Sequence, residues 1–172
     1  MGFQEQIIAT FIGALSGFIF SIAVFYITEK IRQANYNSNL AKNIQKEADF
    51  NVSLLDTIKE EIDELLRKIS ANDAGHIYTI FKYDQLQKNF LQQALWNGYL
   101  YEKLETEDIY KVQEMWSFFM PSSNQFDIGN VELLKSGQMT QADALNRFEY
   151  VKKKIIEFKK FNKDLKKKFT NK

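Results

Sequence analysis

His76 is the only histidine in the chain, and cysteine is absent. That pair of facts removes thiolate zinc sites, iron–sulfur clusters, disulfide frameworks and cysteine nucleophiles. A metal at His76 would have to recruit Asp73 and Asp84, whose positions match no metal-ligand spacing. His76 therefore reads as a solvent-facing or core residue, with no metal expected. No phosphate-cradling glycine loop, zinc-helix HExxH or nucleophile-elbow GxSxG occurs, and no carboxylate pair stands out on a helix face. The sequence supplies no catalytic residues and calls for no cofactor; an enzyme is not expected.

The remaining chemistry is electrostatic. Residues 152–172 hold ten lysines against Glu157 and Asp164, a net of +8, so residues 1–151 must carry −7 to give the total of +1. A basic amphipathic helix of this kind suits anionic lipid or phosphate groups. Its plainer use is as a solvated face, or in pairing with residues 46–73, which carry eight acids against four bases. Readers of nucleic acid interleave aromatics with arginine, and only Arg147 lies nearby, so no DNA partner is expected.

These groups must be positioned by elements, and the first element is apolar. Between Glu5 and Glu29 no residue is charged, and Ile7 to Ile27 reads IIATFIGALSGFIFSIAVFYI. At about 1.5 Å per residue such a run covers roughly 31 Å, the thickness of a bilayer's hydrocarbon core. A buried core helix is the soluble alternative. A cleavable signal is disfavoured by Glu5, by the lack of Lys or Arg before the run, and by the lack of a small-residue cleavage site after it. Lys30, Arg32, Lys42 and Lys46 all follow the run, which predicts a single-pass protein in the inner membrane with its amino end outside and its carboxyl domain cytoplasmic. The expected organisation is an anchor over 1–28, a connector over 29–40 and a cytoplasmic helical domain over 41–172.

Within the anchor, Ala9, Gly13, Gly17 and Ser21 recur at every fourth position. In lipid, where no hydrophobic force joins helices, small residues in such a row let backbones approach and gain van der Waals contact. This ridge is the expected face of a homo-oligomer. Glu5 and Glu29 extend the same series and would ring the two mouths of a bundle, or simply sit in headgroup water.

With 7 Gly and 1 Pro in 172 residues, turn chemistry is too sparse for a sandwich or barrel, and the class is all-α. Asn35, Asn37, Ser38 and Asn39 lower helix propensity, so a hinge is expected there. From Ala41 a heptad follows through Ile44, Ala48, Leu55, Ile58, Ile62, Leu65 and Ile69, with Asn51 in one inward slot. It suits either a self-associating coiled coil with a register-setting Asn or the core face of one domain; the membrane ridge tips the reading toward assembly. Turn residues near Gly75 close this helix. His76 to Tyr83 reads as a short strand or irregular loop. Asp84 then caps a helix bearing Leu86, Phe90, Leu91 and Leu95 that runs to Asn97. A further helix starts at Thr106 and stops at Pro121, with Ile109, Val112, Trp116 and Phe119 inward. Residues 122–137 read as turn-rich with one helical turn near Val131. Thr140 opens a long final helix with Leu145, Phe148, Val151, Ile155, Phe158, Leu165 and Phe169 inward.

This layout, one span bearing Ala9/Gly13/Gly17/Ser21, then Lys30 to Arg32 and a small cysteine-free helical domain, resembles membrane effectors of prokaryotic antiviral defence. More narrowly, it is similar to ancillary type III CRISPR effectors that answer cyclic tetra-adenylate. The resemblance implies a tetrameric cytoplasmic domain that binds a cyclic oligoadenylate and perturbs the membrane through its spans. The expected ligand-binding set is Asn72, His76, Lys82, Tyr83 and Arg147, which offer donors, charge and stackable rings at turns and helix starts. The main rival is a membrane-tethered helical scaffold or regulator that binds a partner protein; a pore-forming toxin or holin is third.

Overall fold

The computed structural model describes residues 2–73, 77 and 81–170, apart from the side chain of Glu5. Every regular element among them is helical. In chain order these are α1 (Phe3–Ser70), a 3₁₀ turn (Tyr83–Gln85), α2 (Asn89–Trp96), α3 (Tyr99–Lys103), α4 (Thr106–Phe118), α5 (Pro121–Lys135) and α6 (Gln141–Thr170). The chain divides into two compact units, residues 1–40 and 41–172.

In the first unit the apolar residues from Ile7 to Ile27 have no protein to pack on. Phe11 is 66% exposed and Phe25 71%, and every residue from Ile7 to Ile27 is exposed on all sides of the helix. This is the one helix among the described residues long and apolar enough to cross a membrane. The expected break at Asn35 to Asn39 does not appear in the backbone, which stays helical there. The amide side chains that would compete with helix hydrogen bonds are turned outward, and Gln33 Nε2 donates to Asn37 Oδ1 at 3.2 Å one turn on.

The second unit has an ordinary core. Ile44, Leu55, Ile58, Ile62, Leu65 and Ile69 of α1 are at most 1% exposed, each burial contributing about 1.5–3 kcal/mol. From Leu55 onward the stripe packs in one cluster with Phe148, Val151, Ile155 and Phe158 of α6, Met115 of α4 and Val131 of α5. Asn51 is wholly buried, and its amide pairs with both backbone groups of one residue: Nδ2 donates to the Gln87 carbonyl at 2.8 Å and Oδ1 accepts from the Gln87 N–H at 2.9 Å. The heptad is thus spent inside one chain, which corrects the tilt toward a self-associating seam. Its polar residue fixes the segment before α2 rather than an oligomer register.

Local chemistry sets the helix ends. α4 begins at Thr106 as expected, with Glu105 as its N-cap in a capping box with Asp108. Pro121 does more than stop α4: it is the first residue of α5, where its missing N–H has no helical partner to lose. Residues 121–135 form a full helix, not the expected turn-rich stretch, because Val131 reaches the core and the polar Asp127 and Asn130 are buried along with it. α2 starts at Asn89, not near Asp84. The N-terminal amides of Phe90 and Leu91 are satisfied by the buried carboxylate of Glu47, at 2.8 and 3.4 Å. Leu86 is buried ahead of that helix. Asp84 lies in the 3₁₀ turn. Thr140 caps α6 as expected, its hydroxyl accepting from the Asp143 N–H at 3.1 Å. On α6, Ala144 and Phe161 join the inward face and Leu145 is only half-buried.

Candidate functional site

The lysine-rich α6 lies antiparallel to the 41–70 part of α1, and its charges are matched across the joint. Lys152 meets Asp63 at 2.8 Å, Lys159 bonds Asp56, and Lys166 meets Asp49 at 2.7 Å. As the position on α6 rises by one heptad, its partner on α1 falls by one heptad. Lys154 and Lys168 reach Glu114 and Asp108 of α4. The hydrogen bond that Lys152 donates to Asp63 holds that carboxyl below its usual range, and the same bond raises Lys152. Much of the basic face is therefore paired with acids of its own domain. Lys153, Lys160 and Lys163 stay exposed on the outer side.

A second polar cluster is buried where the 3₁₀ turn, α5 and α6 meet. Asp127 is inaccessible; Arg147 donates to its Oδ1 through Nε at 2.9 Å and Nη2 at 2.6 Å, and the Tyr83 hydroxyl donates to its Oδ2 at 3.1 Å. Burial pushes the Asp127 carboxyl up against the pull of both partners, and burial beside that carboxylate drives the Tyr83 phenol far above its ordinary range. The ring of Tyr83 stacks on Phe81 at 5.3 Å and meets Phe119 edge-on at 5.2 Å. On the outer side, the Arg147 side chain is 25% exposed, and its guanidinium carbon lies 4.9 Å from the Phe126 ring centre and 5.8 Å from that of Tyr150.

The expected ligand-binding residues are thus distributed unevenly. Tyr83 and Arg147 come together, but on Asp127, a residue the sequence reading did not single out. Asn72 is exposed at the end of α1 with a left-handed backbone (φ 58°), its N–H bonded to the Ile69 carbonyl; it takes the helix-ending role expected near Gly75. Lys82 is exposed just before the 3₁₀ turn, and its charge offsets part of the upward push that burial gives the Glu61 carboxyl. His76 lies outside the described residues. Among those described, no cluster of three or more potential metal-binding side chains occurs.

In the first unit, Ala9, Gly13, Gly17 and Ser21 are exposed. A Cβ at Gly13 or Gly17 would meet nothing within 4 Å, and Ser21 Oγ donates back to the Gly17 carbonyl at 2.8 Å. The ridge is bare and its one hydroxyl is internally satisfied.

A third feature went unforeseen. A cleft of about 100 Å³ opens between the 3₁₀ turn and the α4–α5 junction, walled by Leu86, Trp116, Phe119 and Pro121 with Asp84 and Lys88 also lining it. The Trp116 Nε1–H is buried without an acceptor. No protein-family model, curated protein or solved structure matches this chain.

Proposed function

We propose that the chain is a single-pass inner-membrane protein whose residues 7–27 cross the bilayer with the amino end outside, and whose helical unit is a cytoplasmic scaffold that docks a partner protein. The observation that carries the membrane part is the exposure of every apolar residue from Ile7 to Ile27. A soluble chain would leave this surface in water at about 25 cal/mol for each Å². Basic residues confined to the carboxyl flank support the orientation. The bare Gly13/Gly17 ridge supports association of spans.

The scaffold reading rests on what the second unit has left to offer. Tyr83 is enclosed, Arg147 is held by Asp127, and the lysines facing α1 are paired, whereas Trp96, Tyr101 and Tyr110 are 82%, 62% and 66% exposed. Exposed aromatics of this kind are common anchors of protein interfaces. Alkaline extraction of membranes followed by protease protection of a carboxyl-terminal tag in spheroplasts tests the topology. A soluble chain, or a tag digested from outside, overturns it.

One observation favours the second reading, a cyclic oligoadenylate-responsive membrane effector of antiviral defence. The partly exposed Arg147 guanidinium between Phe126 and Tyr150 joins a cation to two stackable rings. Calorimetry of the full chain in nanodiscs with cyclic oligoadenylates of several ring sizes decides between the two. Heat released by one ring size and lost in Arg147→Ala selects the effector; silence toward all of them leaves the scaffold.

A further inference from the structure

The lysines of α6 divide into two sets. Lys152, Lys159 and Lys166 reach the aspartates of α1 on one flank of the helix, and Lys154 and Lys168 reach Glu114 and Asp108 of α4 on the other. Between the flanks runs a crest. Lys153, Lys160 and Lys167 follow one another at heptad spacing, Lys163 falls on the same face, and all four are exposed. Among the described residues, Lys153, Lys160 and Lys163 form no ion pair. Lys167 touches only Asp164 of its own helix, at 3.3 Å, with its side chain 75% exposed. Ile156, 47% exposed, lies in the same stripe.

The flank beside the crest shows what fits lysines one heptad apart. Asp49, Asp56 and Asp63, also one heptad apart, meet them from an antiparallel helix. At about 1.5 Å per residue, successive lysines of the crest lie about 10 Å apart, as do acids at the same spacing on a facing helix. Width selects among anions. The side chains of Asp49, Asp56 and Glu114 are 55%, 44% and 46% exposed along the two flanks, so a bilayer or a nucleic-acid duplex would press on carboxylates beside the crest. A single helix, about 10–12 Å across, meets the crest alone. Ile156 adds an apolar spot that suits an aliphatic side chain and that a row of phosphates would leave unused.

We propose that the outer face of α6 docks an acidic helix of a partner protein, one that carries Asp or Glu at every seventh residue opposite Lys153, Lys160 and Lys167 and an aliphatic residue opposite Ile156. The proposal rests on the scaffold reading and gives it a surface and a partner chemistry. The pairs stay in contact with water, so each is weak and screened by salt, and the specificity lies in the register of the charges.

The test uses the full chain in zwitterionic nanodiscs and the fluorescence anisotropy of a labelled helical peptide, rich in alanine and glutamine, with glutamate at every seventh position over three heptads and one leucine. The control peptide has the same composition with its glutamates scattered round the helix. The expected result is saturable binding of the heptad peptide that weakens in high salt, with the control at least about fivefold weaker. Lys153→Gln/Lys160→Gln/Lys167→Gln changes only exposed side chains and should weaken the heptad peptide roughly 10- to 100-fold, about two- to fivefold for each lysine. Absence of binding, equal binding of both peptides, or binding unchanged in the triple variant overturns the proposal. So does displacement of the labelled peptide by phosphatidylglycerol vesicles or a DNA duplex at a lower concentration of charge than by the unlabelled heptad peptide. A smaller assembly mass for the triple variant than for the wild type puts a second copy on the crest and also overturns it. Crosslinking of the wild-type chain and the triple variant in cells separates this from the scaffold reading. A partner retained by both chains, with no preference for the heptad peptide, sinks the crest alone. Heptad-specific binding with no crosslinked protein in either chain sinks the scaffold and keeps the crest.

Discussion

The two parts of α1 face opposite problems with the same backbone. Residues 7–27 put Ile and Phe on every side, and all of them are exposed. Residues 41–70 put apolar side chains on one stripe, and that stripe is buried in the core. A helix apolar all round needs apolar surroundings on every side, as a bilayer or the middle of a large core supplies; a helix apolar on one side has a defined partner surface and makes a core. The comparison also separates two uses of small and polar residues. Gly13 and Gly17 leave a surface open, while Asn51 closes one by binding both backbone groups of a single residue.

The largest effect that sharpens this contrast belongs to the buried stripe and its neighbours. Phe148→Ala empties a wholly buried site against Phe81 and should cost about 3–5 kcal/mol in denaturant unfolding of the helical unit, without releasing the chain from membranes. Phe18→Arg, in the middle of the apolar run, should do the reverse. It costs about 2.5–3.5 kcal/mol of membrane insertion, moves protein to the soluble or degraded fraction, and leaves the unfolding of residues 41–172 unchanged. If Phe18→Arg stays in the membrane pellet after alkaline extraction, the contrast between the two parts is broken.

A smaller effect follows from Glu47, whose carboxyl burial pushes above its usual value although the Phe90 and Leu91 amides pull it down. A raised folded-state value means that the native chain binds the extra proton. Its contribution is therefore greatest below the unfolded value of 4.5 and is lost as pH rises through the folded one. The thermal midpoint of Glu47→Gln, which keeps an acceptor for both amides, should vary less over that window than that of the wild type. A wild-type slope unchanged by the substitution removes Glu47 as its source.

The smallest effect belongs to the ladder between α1 and α6. Asp56 is 44% exposed, so Lys159→Ala should cost about 0.2–1 kcal/mol, and the loss should shrink in high salt. A cost of several kcal/mol would mean that the ladder, not the apolar stripe, holds these helices together.

The legibility of the parts in the sequence follows the range of the interactions behind them. The apolar run, the heptad from Ala41, the Thr140 cap and the inward face of α6 are periodic or local, and each was readable. So in principle was the ladder, since Asp49, Asp56 and Asp63 share one heptad spacing and Lys152, Lys159 and Lys166 share another. Only the antiparallel approach of α1 and α6 tells which lysine meets which aspartate. α5 was read as turns because Ser122, Ser123, Asn124, Gly129 and Asn130 are weak helix formers; burial of Val131 and the Asp127 cluster overrides that propensity. Nothing local marks Asp127 as the partner of Tyr83 and Arg147, or Trp116 as a wall of a cleft.

The sequence by itself determined an all-helical chain with one run apolar enough for a bilayer and a separate amphipathic body, because periodicity and hydropathy are properties of neighbours along the chain. Only the tertiary structure decided where the charges and polar groups are spent. It placed Asn51 on Gln87, Asp127 between Tyr83 and Arg147, Glu47 on the start of α2, and left the Trp116 donor open. Each of those outcomes depends on which distant group arrives within hydrogen-bonding reach, a matter of packing that no spacing along the chain encodes.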